Sequence, residues 1–480
     1  MIRVVPTGDL GLDVLLGGGW RLVKRFEERE SATVVVRGGS GVGKTLVSIQ
    51  AALELASALG GDVAVGCVEI LPTEYIAQLQ SARPSLALSH MAMLPARATA
   101  EAGPRVYVGL LPDIDSDKPD LVEGLEQLAR QVAVAGGKPV VFVVDSIIEG
   151  YGIGSSAQRI DVDDVMKFAA NYGYGLILSE EVGADGPSPW MFAADTVLQL
   201  GVEARARGRW IEVRKHRFGP SATGRHDLEL GARPHPEVFP AVTAWLPPWI
   251  PSILLAHGWH FRTDSPGTTQ FRWNGSPELG GALFLVASQR GTLAQSFAEA
   301  LSPVAPAFAE ADRSMLLIRF DALTHVVDHW RRDVQYGTYI PVAHGAVRAL
   351  RWMVERFADM FGEQDPPVVS RIVVGDLAQV LASGSAEEWV EAVRTFASLV
   401  NASSWGVPIV GYETLPDGGV PRRQLAFHAD IVVVIDSHID SVSNQVGAII
   451  YDRWRRQASD VRLPVPPSPS DLTTRPPGRA

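Results

Sequence analysis

Cysteine is almost missing from this chain. Cys67 is the single one in 480 residues, which excludes an internal disulfide and any multi-cysteine zinc site. Long apolar runs are missing as well, since none reaches the roughly 18–20 residues that a membrane span requires. The opening MIRVVPTGDLG lacks the basic start and apolar stretch of a signal peptide, so cytoplasm is the expected compartment. Positive charge is in deficit, with 43 Lys+Arg against 54 Asp+Glu and a formal net charge of −11. Affinity for nucleic acid draws mostly on phosphate neutralisation, so this balance disfavours a nucleic-acid partner. The 11 His show no metal-site spacing, and His226, His235, His257 and His260 have no cysteine beside them. Trp245, Trp249 and Trp259 have only Arg262 nearby, which suits packing better than stacking on bases.

What is present is a globular composition, 46% hydrophobic and 20% charged, long enough for two or three domains. Residues 233–252 carry Pro234, Pro236, Pro240, Pro247, Pro248 and Pro251 and are expected to be an extended linker without helix or central strand. Residues 463–480 have few large apolar side chains and are expected to be disordered. Domains of 1–232 and 253–462 remain.

In the first, β-branched apolar runs at 32–37, 63–69, 140–145, 175–179, 196–201 and 210–214 alternate with helical patterns such as 45–59 and 121–135. The order predicts an α/β fold with a mostly parallel sheet flanked by helices. The second half repeats it at 282–287, 315–320, 371–376, 408–411 and 430–435. Asp145 recurs as Asp376, Glu180 as Glu413 and Ala194-Asp195 as Ala429-Asp430, each about 230 residues later, which reads as duplication.

Gly38-Gly39-Ser40-Gly41-Val42-Gly43-Lys44-Thr45 has the spacing of a phosphate-binding loop, between an apolar strand and a helix. Its glycines let backbone N–H groups curl around a phosphate at the positive end of the helix. Lys44 would reach the outer phosphates of ATP, and the Thr45 hydroxyl would ligate Mg²⁺. Asp145 ends the run VVFVVD and reads either as the second Mg²⁺-site residue or as a helix cap. Glu69 ends VAVGCVE and reads as the base that polarises attacking water, or as a strand-end cap. Ser179 and Glu180 end a further strand, to sense the terminal phosphate or to cap. Arg214-Lys215-His216-Arg217 follows RWIEV, as a finger toward a neighbour's site or as a solvated basic turn.

Thr7-Gly-Asp-Leu-Gly-Leu-Asp13 with Gly17-Gly18-Gly19, the loop 38–45, the Glu69 and Asp145 strand ends and Lys215-His216-Arg217 together resemble KaiC and related RecA-superfamily P-loop ATPases. The likeness is specific over 5–230 and architectural over 255–460. It implies tandem RecA-like domains that stack as homo-oligomeric rings, usually hexamers, with ATP between subunits. By the resemblance Glu69 activates water, while Lys215 and Arg217 act in trans. KaiC-like chains often carry a second Glu where this one has Ile70. In the second half the phosphate loop is replaced by Ser288-Gln289-Arg290-Gly291-Thr292, without the glycine run or a lysine. That half is expected to be a degenerate copy for assembly or partner binding, with Arg453–Arg456 in the place of a second finger. A slow Mg-ATP hydrolase is therefore expected. The other readings are an ATP-bound switch or scaffold, and a RecA/RadA-like recombination accessory.

Overall fold

The computed structural model describes residues 2–25, 29–68, 70–82, 91–94, 103–111, 121–147, 156–182, 188–203, 208–230 and 236–257 of the first half. In the second it describes 283–290, 294, 297, 315–321, 336–341, 345–361, 371–375, 377–382, 386–402, 409–415, 429, 431–440, 442–452 and 457–465. The chain divides into two compact units, Met1–Ile253 and Leu254–Ala480.

The first unit is built on β1 (Ile2–Val5), β2 (Trp20–Lys24), β3 (Glu30–Gly38), β4 (Asp62–Cys67), β5 (Met91–Met93) and β6 (Val106–Leu110). It continues with β7 (Pro139–Ile147), β8 (Gly175–Glu181), β9 (Thr196–Val202), β10 (Arg209–His216), β11 (Arg225–Glu229) and β12 (Glu237–Phe239). These form one sheet in the order β12-β11-β10-β9-β3-β8-β7-β4-β6-β5, with β2 joining β3 to β1. Pairing is parallel from β9 to β5 and antiparallel through β10, β11 and β12, and also through β1 and β2. The sheet is thus mixed, because hairpins extend a parallel centre.

Strands buried on both faces need two apolar sets. Val35, Phe142, Val144 and Leu178 pack with Leu125 and Leu128 of helix Leu121–Val134 and Val165 and Phe168 of helix Ser156–Tyr172. Helix Lys44–Leu59 packs on β3, β4, β7 and β8, and its buried Val47, Ile49 and Leu55 are absent from that cluster. It covers the other face, directly behind the glycine-rich loop.

The second unit has β13 (Leu283–Ser288), β14 (Met315–Asp321), β15 (Tyr336–Pro341), β16 (Arg371–Gly375), β17 (Ile409–Thr414), β18 (Ile431–Asp440), β19 (Gln445–Asp452) and β20 (Gln457–Pro464). Their order, β15-β14-β16-β17-β13-β18-β19-β20, repeats β6-β4-β7-β8-β3-β9-β10-β11 strand for strand, including the switch to antiparallel pairing. Helices Gly345–Phe361 and Ala386–Ala402 meet through Phe357 and Phe396, whose ring centroids are 6.1 Å apart.

Register refines the repeat. Val35 faces Leu178 on β8 and Val197 on β9, as Leu285 faces Gly411 and Val432. Those pairs agree with the sequence matches at Glu180/Glu413 and Asp195/Asp430. Val144 faces Leu178, however, and Val374 faces Gly411, so Gly375 and not Asp376 stands at the position of Asp145. Matching one acid to another hid a one-residue slip. Asp376 and Asp430 lie outside the described residues.

The proline-rich stretch also differs from expectation. Residues 236–253 form edge strand β12, a 3-10 turn at Val242–Trp245 and the start of helix Ile250–Ala256. Val238, Phe239, Trp245 and Ile250 are buried, and the Ala241 N–H donates to His226 Nδ1 at 3.0 Å. Proline tolerates an edge strand and helix starts, and apolar residues between the prolines supply the adhesion. Residues 233–235 lie outside the described residues; of the supposed tail, 463–464 belong to β20 and 466–480 lie outside. No described helix is long and apolar enough to cross a membrane.

Candidate functional site

Strand β3 ends at Gly38, and the Lys44–Leu59 helix starts on Gly43, whose φ of 109° lies in the left-handed region. A Cβ there would also come within 2.4 Å of Leu230 Cδ1. Position 43 therefore requires glycine twice over, once for its dihedral and once for the close approach of β11's end. Between these points the loop arches over the carboxyl ends of β3 and β8, where the connections diverge to opposite sides of the sheet. That is where open α/β sheets leave a crevice.

The side chains beneath the loop converge. Thr45 Oγ1 donates to Asp145 Oδ2 at 2.7 Å across 100 residues of sequence. Lys44 Nζ donates to the carbonyls of Gly38 (3.0 Å) and Gly39 (2.8 Å) and lies 3.7 Å from Glu181 Oε2. Ser48 and Ser179 share a buried hydrogen bond of 2.9 Å, and Ser179 also bonds the Asp145 carboxylate. Burial holds the Asp145 carboxyl above its usual range, opposed by bonds from Thr45 and Ser179 and by the Lys44 charge. Burial, with the Asp145 charge behind it, pushes the Cys67 thiol to about 12 and the Tyr75 phenol well above its ordinary value. A buried carboxylate beside a hydroxyl and an ammonium is a poor apolar core element. It is a good half of a cation site.

A cleft of about 610 Å³ opens here, lined by Ser40, Gly41, Gly43, Lys44, Thr45 and Asp145, with Ile70, Glu181, Arg209 and Leu230 around it. Ser179 is buried behind it and Val42 packs inward, while Gly38 and Gly39 present carbonyls to Lys44. Glu69 lies outside the described residues. Glu180 is turned away from the cleft, since its Oε2 accepts from Arg37 Nε at 2.6 Å in a buried ion pair on the neighbouring strand. Glu181 and Arg209 were not singled out from sequence. Glu181 directly follows Glu180 and Arg209 directly precedes the 210–214 run, but only strand pairing shows which of them reaches the loop.

Lys215 and His216 belong to β10 rather than to a turn after it. Lys215 Nζ donates to the carbonyls of Met191 (2.9 Å) and Phe192 (2.7 Å), and Arg217 to that of Phe192 (2.8 Å). Neither lines the cleft of its own chain. Between them His216 is fixed, because Arg21 Nε donates to its Nε2 at 3.3 Å, leaving the ring proton on Nδ1 toward Thr196 Oγ1. Burial and the Arg21 charge lower its pKa to about 4. The Arg217 N–H donates to the Asp195 carbonyl at 2.8 Å, and the Asp195 carboxylate binds Thr33 and Arg25, so the pair stands on a rigid base.

Among the described residues no three His, Cys, Asp or Glu are grouped to hold a metal. A Mg²⁺ site of the phosphate-loop kind needs fewer protein ligands, because water and phosphate oxygens supply the rest. Thr45 and Asp145 fit that demand. No protein-family model matches the chain, and no curated protein matches it either.

Proposed function

We propose that the first unit binds Mg-ATP and hydrolyses it slowly at an interface between copies of the chain. On this reading the chain is a KaiC-like member of the RecA superfamily, with two RecA-like domains of which the second is a degenerate copy. The observation that carries the reading is the Thr45–Asp145 hydrogen bond at the mouth of the glycine-rich loop. Two distant residues of the right chemistry meet where a phosphate-bound cation would sit.

When bound, Mg²⁺ would offset the negative charge of the terminal phosphates. Thr45 and Asp145 would hold it, and Ser179 keeps the Asp145 carboxylate turned toward Thr45. Loop N–H groups donate to phosphate oxygens, and Lys44 exchanges its two carbonyl partners for them. Glu69 is assigned the water-activating role, and Glu181, about a third exposed at the cleft, is a second carboxylate in reach of Lys44. Lys215 and Arg217 serve the neighbouring copy, which accounts for their distance from their own cleft. A switch that holds ATP without turnover is the second reading. It is favoured by Ile70, an apolar side chain lining the cleft one residue after Glu69.

The test is ATP binding and phosphate release by a Lys44→Ala chain. The expected result is loss of both. ATP affinity equal to that of the unaltered chain overturns the loop assignment. Retained binding by a Glu69→Gln variant with phosphate release unchanged from the parent selects the switch.

A further inference from the structure

We propose that the second unit carries a ligand pocket of its own, opened where the first unit places an indole, and that it takes a planar nitrogen heterocycle of purine size without phosphates. The inference rests on the strand register and holds whether or not the first unit hydrolyses ATP.

In the first unit Trp210 faces Gly201 on β9 and Asp227 on β11. Its indole lies on Gly201 so closely that a Cβ there would meet Cζ2 at 2.2 Å, and the Arg225 guanidinium stacks 4.2 Å from the ring centroid. That patch of sheet is closed. In the second unit Ile435 faces Ala448 as Leu200 faces Ile211, and β18 bulges directly after Ile435, so that Asp436 and Gly447, next in line on their strands, stand where the first unit pairs Gly201 with Trp210. A Cβ on Gly447 would meet nothing nearer than Asp436, at 3.8 Å.

The exchange of Gly/Trp for Asp/Gly leaves a cavity of about 550 Å³. Gly447 is its floor, with Asp436 on one side and Arg462, paired with Gly447 from β20, on the other. Two strand spacings separate those flanking backbones by about 10 Å, room for one flat ring. Val434, Ile449 and Leu415 contribute apolar surface to the lining. The volume falls within the ordinary range for small-molecule sites.

Charge narrows the ligand. Asp436 and Asp460 outnumber Arg462, whose guanidinium lies 3.5 Å from the Asp440 carboxylate. Anions are disfavoured. The turn after β13, Ser288-Gln289-Arg290, has no lysine or glycine run to cradle a triphosphate. A ring that donates N–H groups to Asp436 and accepts from Arg462 satisfies both walls, and purines carry both kinds of edge.

The experiment measures adenosine and guanosine binding to the full chain by saturation-transfer NMR. At least one nucleoside is expected to bind, with affinity reduced about tenfold or more in Gly447→Trp and in Asp436→Ala, and kept in Gly447→Ala. Binding by the first unit is common to all these variants and subtracts out. Asp436 is exposed, so its variant decides the matter even where a tryptophan at 447 disturbs folding. Equal binding to the parent and both disruptive variants, or no binding of either nucleoside to the parent, overturns the proposal.

Discussion

The carboxylate of Asp145 is pulled two ways, by burial that raises its pKa and by Thr45, Ser179 and Lys44 that lower it, with burial ahead. A carboxyl whose pKa is raised by folding contributes stability below the unfolded value and loses it as pH rises through the folded one. At pH 7 the ligand-free protein therefore bears a net cost at this position. Asp145→Asn is expected to raise Tm at pH 7, less so at pH 4, and to abolish the Mg²⁺ dependence of ATP binding. Thermal melts at the two pH values check this, and a lower Tm at pH 7 would refute it. At Gly43, alanine meets both the positive φ and Leu230, so Gly43→Ala should cost about 1–3 kcal/mol in urea denaturation and weaken ATP binding. A Cβ at Gly39 would have nothing within 4 Å, and Gly39→Ala should be close to neutral for stability. The loop, Lys44 and Thr45 were legible because a strand–loop–helix is local in sequence, and Asp145 was legible as the acid that ends an apolar run. Glu181 and Arg209 were not, because their reach depends on which strands lie side by side.

Among the elements, the 236–253 segment shows how composition misleads. Six prolines within 233–252 read as a spacer, yet Trp245 is 1% exposed and docks the segment on the first unit. Trp245→Ala should destabilise that unit by about 3–5 kcal/mol in urea denaturation, where a free linker would show no change. Burial lowers the pKa of His226 to about 4 while its Nδ1 accepts from the Ala241 N–H. A histidine whose pKa is lowered by folding binds its proton preferentially in the unfolded chain, so stability falls as pH drops from about 6.5 toward 4. His216 titrates in the same window. His226→Asn, which keeps an acceptor without the titration, should flatten the slope of ΔG against pH in part. An unchanged slope would assign it elsewhere. The positions of β3, β4 and β7 to β10 were readable from apolar runs, though their order in the sheet was not. The hairpins β10–β11 and β19–β20 were not fully anticipated, since exposed edge strands carry weaker patterns.

For the molecule as a whole, the repeated strand order supports duplication more firmly than any sequence offset did, and the register corrects one of those offsets. The placement of Lys215 and Arg217 away from their own cleft leads to a mixing experiment. Lys44→Ala and Arg217→Ala chains should each be inactive, and a mixture should regain ATPase activity by pairing an intact loop with an intact finger. Specific activity of the parent should also rise with concentration. Activity that is flat on dilution to monomer removes the trans role.

The lone thiol has a practical consequence. Cys67 is fully buried on β4 opposite Asp145, and its proton is held to about pH 12. A thiol reagent thus has one target in the whole chain and meets it only when the sheet beneath the glycine-rich loop comes apart. The rate of modification reads the opening of that half alone, without any introduced label. Whatever molecule the loop grips should announce itself by slowing that rate.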